Sequence, residues 1–86
     1  MTTQDRTTQD TVLTTVRSAV QDVAPGIELT DDLPLIAERI IDSLSLLKVV
    51  TRLEHDLGVR IRDTEVLPRN FETITAIRAF LATKGH

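Results

Sequence analysis

The residues best suited to chemistry are a serine and its two neighbours in the middle of the chain, Asp42-Ser43-Leu44. A serine hydroxyl acts as a catalytic nucleophile when a base, often a histidine, lies within hydrogen-bond distance. His55 follows twelve residues later. At about 1.5 Å of rise per residue, it lies more than three turns away on the same helix. Ser43 and His55 therefore do not form a nucleophile–base pair.

Other catalytic arrangements and metal sites also lack the residues they need. The 86-residue chain contains no cysteine and only two histidines, His55 and His86, which are far apart in sequence. Thiolate chemistry is excluded, and a metal-binding set is not expected. Asp31-Asp32 lies in a polar turn, where carboxylates normally stay solvated. We predict no catalytic residues, no metal site and no enzymatic activity.

Charge and composition argue against nucleic acids and membranes as partners. The net charge is −3, and two phenylalanines are the only aromatic residues. A phosphate backbone would be repelled overall, and the aromatic platforms on which bases stack are missing. No run of about 18 apolar residues suggests a membrane span, and residues 1–10 lack the apolar stretch of a signal peptide. We expect a cytoplasmic protein.

The first predicted helix occupies residues 10–24, where apolar residues recur at steps of three and four. These residues are Val12, Leu13, Val16, Val20 and Val23. Residues 1–9, with a repeated TTQD, are predicted to form a flexible polar tail, so that the helix begins near Thr8–Asp10. Pro25-Gly26 ends the helix. Residues 27–41 have no sustained period and are predicted to form a long loop held to the core by its aliphatic side chains.

The second predicted helix occupies residues 42–57 and positions the serine. Asp42 is a suitable N-cap, since its carboxylate accepts from free amides of the first turn. Gly58 suits the residue after the helix. Apolar residues form a stripe along the helix that is predicted to face the core. They are Leu46, Val50, Leu53 and Leu57, with Leu47 and Val49 widening the stripe.

The remaining segments predict an extended linker and two further helices. Residues 59–62 alternate in polarity but have no evident partner strand, so we expect an extended linker. Asp63 caps a short helical turn over 64–67 that Pro68 closes, and Thr73 caps a last helix over 74–83. The predicted fold is all-α, a small four-helix bundle with three longer helices and one short helix. The folded domain is expected to occupy residues 10–86.

Three stretches of the sequence resemble the acyl carrier and peptidyl carrier protein family. Asp42-Ser43-Leu44 is similar to the Asp-Ser-Leu that opens the family's second helix. LEHDLGVRI (53–61) looks like the family's acidic stretch followed by glycine and two aliphatic residues. NFETI (70–74) looks like the opening of its last helix. The resemblance covers nearly all of residues 10–83, and the combination is more specific than the tripeptide alone.

The resemblance implies that Ser43 carries a covalent 4′-phosphopantetheine, placed there from coenzyme A by a separate phosphopantetheinyl transferase. The thiol of that group would hold an acyl or aminoacyl cargo as a thioester, which is consistent with a chain that has no cysteine. A phosphodiester is well placed beside the free amides and positive dipole end of a helix. Asp42 would meet the transferase. Leu44 would either contact enzymes or belong to the core.

Two departures from the family pattern bear on the partners. Ile40 stands where many members have glycine, and Lys48 and Arg52 lie on a helix that is usually acidic. Enzymes of fatty-acid synthesis dock carriers through basic patches, so Lys48 favours polyketide or nonribosomal peptide synthesis instead. We expect a free-standing monomeric carrier that meets a loading ligase or synthase and downstream enzymes through Asp42, Leu44, Lys48 and Arg52. The alternatives are a fatty-acid synthesis carrier and an unmodified helical interaction domain in which Asp42 only caps a helix.

Overall fold

The computed structural model describes residues 2–86, with side chains described from residue 11 onward. Four α-helices follow one another: α1 (Thr2–Val23), α2 (Ser43–Leu57), α3 (Pro68–Phe71) and α4 (Ile74–Thr83). A 3₁₀ turn (Asp63–Glu65) precedes α3. No strand occurs in this part of the chain. The predicted all-α bundle of three longer helices and one short helix is confirmed.

A single hydrophobic core lies between the three longer helices. α1 packs against both α2 and α4, and α3 packs against α4. The rings of Phe71 and Phe80 meet at a centroid distance of 5.5 Å, which is within the range of favourable aromatic pairs. The largest fully buried side chains are Phe71, Leu35, Leu53, Ile74, Ile77, Leu81, Val16, Val20 and Val49. The helices are therefore held together mainly by aliphatic packing.

Helix α1 begins at Thr2, six residues before the earliest predicted start at Thr8. The prediction of that start was wrong because it relied on apolar spacing, which residues 2–9 lack. Those residues also contain no proline or glycine that would stop a helix growing from the packed part of α1. The flexibility of residues 1–9 stays a prediction, and Met1 lies outside the described residues. The predicted end is confirmed, since the helix stops at Val23 before Pro25-Gly26.

The long connection between α1 and α2 is irregular, as predicted, and is fixed to the bundle. Leu29, Leu35 and Ile41 are buried. The carbonyl of Leu35 accepts the N–H groups of Ile40 at 2.8 Å and of Ile41 at 3.0 Å. The N–H of Leu35 donates to the carbonyl of Glu72, which lies between α3 and α4, at 2.8 Å. The first two bonds fold the segment that leads into α2 on itself, and the third joins it to the residues between α3 and α4.

Most of the apolar stripe predicted on α2 faces the core, but Leu47 does not. Val49, Val50 and Leu53 are buried, whereas 54% of Leu47 is exposed. Arg52 bonds to Ser18 and Asp22, which places α1 on its side of α2. Leu47 is about 140° around the helix from Arg52, at about 100° per residue. The prediction for Leu47 was wrong because spacing alone does not show on which side of a helix its neighbour packs.

Pro68 opens α3 and does not close the preceding turn, which corrects the sequence prediction. The predicted turn over 64–67 is a 3₁₀ turn over Asp63–Glu65, and Leu67 is extended. Proline suits the first position of a helix because it lacks only an N–H that would be unpaired there. Residues 59–62 form the predicted extended linker. Thr73 caps α4 as predicted, accepting from the N–H of Ala76 at 2.9 Å.

Candidate functional site

Ser43 is the first residue of α2 and is exposed. Among the described residues, no hydrogen bond occupies its hydroxyl. The position follows from the local sequence, since the irregular segment ends at the buried Ile41 and the helix begins two residues later. The hydroxyl predicted to carry the chemistry is therefore open to an approaching enzyme.

Asp42 caps α2 as predicted. Its backbone is extended (φ −98°, ψ −176°), and its Oδ1 accepts the N–H of Ser45 at 2.8 Å. That backbone N–H is the main reason why the pKa of the Asp42 carboxyl lies below its ordinary value of 3.8. The carboxylate is ionised at neutral pH and occupies one of the amides at the start of the helix.

A groove of about 400 Å³ lies beside Ser43, and we call it the Ser43 groove. It is formed by the end of the long connection, the first turns of α2 and the start of α3. Its lining residues are Ile36, Arg39, Ile41, Asp42, Ser43, Leu46 and Pro68. Most of this lining is apolar, with charged side chains from Arg39 and Asp42. Sequence analysis did not single out Arg39 because no spacing or motif relates it to the serine.

The outward side of α2 forms a second surface next to Ser43, which we call the outer face of α2. A shallow depression of about 550 Å³ is lined by Leu44, Leu47, Lys48, Thr51, Arg52 and His55. Leu44 is 69% exposed and therefore does not belong to the core, while its contact with enzymes stays a prediction. Exposed leucines separated by one turn form an apolar strip that begins directly after the serine.

The two cations predicted to meet partners differ in their surroundings. Arg52 forms an ion pair with Asp22 of α1 and another with Asp56, at 2.7 Å. It also donates to the hydroxyl of Ser18 at 3.2 Å. Lys48 is exposed and forms no ion pair with any described residue. Arg52 is therefore largely engaged in joining α1 to α2, whereas Lys48 remains available to another molecule.

His55 lies near the far end of α2, where its side chain is 87% exposed. Its Nδ1 is 3.1 Å from Asp56 Oδ1, and this contact is the main reason why the pKa of Asp56 lies below its ordinary value. Twelve residues of helix separate His55 from Ser43 by about 18 Å along the axis. The structure keeps these side chains apart.

The described part of the chain holds no cluster of three or more His, Cys, Asp or Glu side chains that could bind a metal. Within the same residues, none of the helices combines the length and hydrophobicity required to cross a bilayer.

Comparison with protein families identifies the chain. The family model described as "Phosphopantetheine attachment site" matches residues 10–81. The chain belongs to the phosphopantetheine attachment family. Its domain is a carrier and not a catalyst, and the cofactor of such domains is a covalently attached 4′-phosphopantetheine. The resemblance to acyl and peptidyl carriers is thereby confirmed. Neither the curated proteins nor the solved structures contain a significant match.

Proposed function

We propose that Ser43 is the attachment residue and that the protein carries an acyl or aminoacyl group as a thioester between enzymes. The observation that supports this most directly is the exposed hydroxyl at the first position of α2, within the matched family segment. The residues present fit the group, because an unbonded hydroxyl adjoins a partly apolar groove that contains a cation. When bound, the cofactor supplies the thiol that this cysteine-free chain lacks.

The chain's own contribution is to present one hydroxyl in a fixed position. In the transfer, a bond forms between Ser43 Oγ and the phosphorus of the incoming group. The pyrophosphate bond of coenzyme A breaks, adenosine 3′,5′-bisphosphate leaves, and the hydroxyl proton passes to a base of the transferase. Asp42 fixes the start of the helix, and its ionised carboxylate offers a partner for the transferase's metal ion and basic side chains.

Intact mass tests the attachment residue. The protein is incubated with coenzyme A, Mg²⁺ and a broad-specificity phosphopantetheinyl transferase. We expect one phosphopantetheine to be added, and we expect Ser43→Ala to abolish the addition. Ser45→Ala is the matched control, since Ser45 lies two residues further along the same helix and should leave the addition intact. Absence of a mass gain, or a gain that survives Ser43→Ala, would refute the proposal, and the former result would favour an unmodified interaction domain.

We propose further that enzymes dock on the outer face of α2, with Leu44 and Leu47 as apolar contacts and Lys48 as the charged one. The charge of Lys48, unpaired among the described residues, favours partners whose docking surface is acidic and disfavours those with basic patches. This supports polyketide or nonribosomal peptide synthesis over fatty-acid synthesis. Asp42 contributes at the transferase, and Arg52 contributes mainly by holding α1 against α2. We also propose that the protein is monomeric and located in the cytoplasm.

Charge reversal tests the docking surface. A fatty-acid synthase transacylase with a basic docking patch is the probe, and its KM for the phosphopantetheinylated protein is measured. We expect Lys48→Glu to lower that KM several-fold, because a repulsive contact becomes attractive. Arg60→Glu is the control, since Arg60 is also exposed but lies on the linker after α2. Equal effects of the two reversals would show that only overall charge matters and would contradict the assignment.

A further inference from the structure

The Ser43 groove contains a cation with no assigned role. Arg39 is the only basic residue that lines the groove among the described residues. Its side chain is exposed and forms no hydrogen bond or ion pair within residues 11–86. Arg17 and Arg52, in contrast, are both bonded to carboxylates on neighbouring segments. Arg39 is therefore not needed to connect parts of the bundle.

The backbone holds Arg39 in a conformation that most residues avoid. Its φ is 58°, which makes it the only residue other than glycine with a positive φ in the described chain. The position is secured locally, since its N–H donates to the carbonyl of Ile36 at 3.0 Å. The next residue, Ile40, is bonded to Leu35. Glycine would occupy this conformation with less strain, so a charged side chain is presented at the groove despite a backbone cost.

The charges around Ser43 make a cation useful at this point. Asp42 is ionised and already accepts the N–H of Ser45, so that amide is not available to a second anion. A phosphodiester on Ser43 places another negative charge directly beside this carboxylate. The groove would then contain two anions and one cation. The guanidinium of an arginine suits such a group, because its planar set of N–H donors matches the oxygens of a phosphate.

We propose that Arg39 is a positioning residue that pairs with the phosphodiester at the root of the cofactor arm and holds that root at the Ser43 groove. The inference rests on attachment at Ser43. The pairing offsets the repulsion between the phosphodiester and Asp42. It also restricts the directions in which the arm leaves the protein, while the distal part of the arm stays free.

Nuclear magnetic resonance of the phosphopantetheinylated protein tests the pairing. The ³¹P signal of the phosphodiester and the ¹⁵N–¹H signal of Arg39 Nε are recorded after intact mass has confirmed attachment. We expect the Nε signal to shift between the unmodified and modified proteins. We expect Arg39→Gln to move the ³¹P signal, and Arg39→Lys to restore part of the wild-type position. Arg60→Gln, which removes an equal charge from an exposed site outside the groove, should leave the ³¹P signal unchanged.

Salt provides a second criterion, because a pairing at the surface is screened as ionic strength rises. We expect the difference between the wild-type and Arg39→Gln ³¹P signals to shrink between low salt and about 1 M salt, where the Debye length is about 3 Å. If the Nε signal does not change on attachment, or if wild type and Arg39→Gln give identical ³¹P signals, the proposed role of Arg39 is wrong, while the proposal of attachment at Ser43 stands. Failure of Ser43 to accept the group would overturn both proposals, and intact mass detects that outcome first.

Discussion

Two leucines of α2, Leu53 and Leu47, allow the packing of this helix to be tested with the same substitution. Leu53 is fully buried between the helices, whereas 54% of Leu47 is exposed. Leu53→Ala removes three carbon groups from the core, which costs about 2.4 kcal/mol at about 0.8 kcal/mol each. The cavity left behind raises the expected loss to about 3–5 kcal/mol. Leu47→Ala leaves no cavity and should change stability by less than about 0.5 kcal/mol.

Such a loss at Leu53 is large for a domain of this size. At roughly 0.05–0.15 kcal/mol per residue, 86 residues give a total stability of about 4–13 kcal/mol. Each kcal/mol corresponds to about 4–8 °C in Tm for a small domain, so Leu53→Ala should melt at least 10 °C or so below the wild type.

Urea denaturation followed by circular dichroism at 222 nm measures both variants, and equal m-values ensure that the midpoints compare stability alone. The two variants should also differ in function. Leu47→Ala should weaken loading by partner enzymes while the fold remains intact. A loss at Leu53 below about 1 kcal/mol, or equal losses at the two positions, would show that α2 is rotated differently about its axis.

Two further changes probe the end of α2 and the ionised side chains. Gly58→Ala should lower the free energy of unfolding, measured by urea denaturation, by about 1–2 kcal/mol. Gly58 has a φ of 64°, and an added methyl group would contact no other atom, so backbone strain is the only expected effect. An unchanged urea midpoint would contradict this. Lowering the pH should lower the Tm, because Asp42, Asp56 and Glu65 all have pKa values below their ordinary 3.8, 3.8 and 4.5, the last mainly through Lys84. The stability that these carboxylates contribute is complete above their ordinary pKa values and is lost as the pH falls through their lower pKa values in the folded protein. Glu65→Gln should therefore flatten the dependence of Tm on pH between roughly pH 5 and 3. A Tm that stays constant or rises on acidification would refute the assignment.

Local signals in the sequence were sufficient to place α2 and α4. Asp42 and Thr73 each cap a helix through their own side chains, and Gly58 adopts the left-handed conformation that ends α2. Such features depend on neighbouring residues along the chain, so the predicted boundaries agree with the structure. The exposure of Ser43 follows for the same reason, since it comes directly after the cap.

Features that depend on how segments pack were not predictable in the same way. Leu47 carries the same side chain as the residues of the apolar stripe, and only the position of α1 places it outside. Pro68 is compatible with the end of one helix and with the start of the next, so its local sequence leaves the choice open. Arg39 reaches the Ser43 groove because the backbone turns at residues 34–41, and no pattern of residue types encodes that turn.

The way in which Leu35 fixes its segment to the bundle has a consequence for how far a cargo on Ser43 could travel. Detaching residues 34–41 from the bundle would break the backbone hydrogen bond between the Leu35 N–H and the Glu72 carbonyl and would pull the fully buried Leu35 side chain into water. Ser43, the proposed attachment residue, therefore follows a segment that is held to the core, and we do not expect movement of that segment to extend the reach of a cargo. With the arm on Ser43 as proposed, the distance between two active sites served without undocking would be limited by the length of the pantetheine chain, and a greater separation would require the whole domain to diffuse.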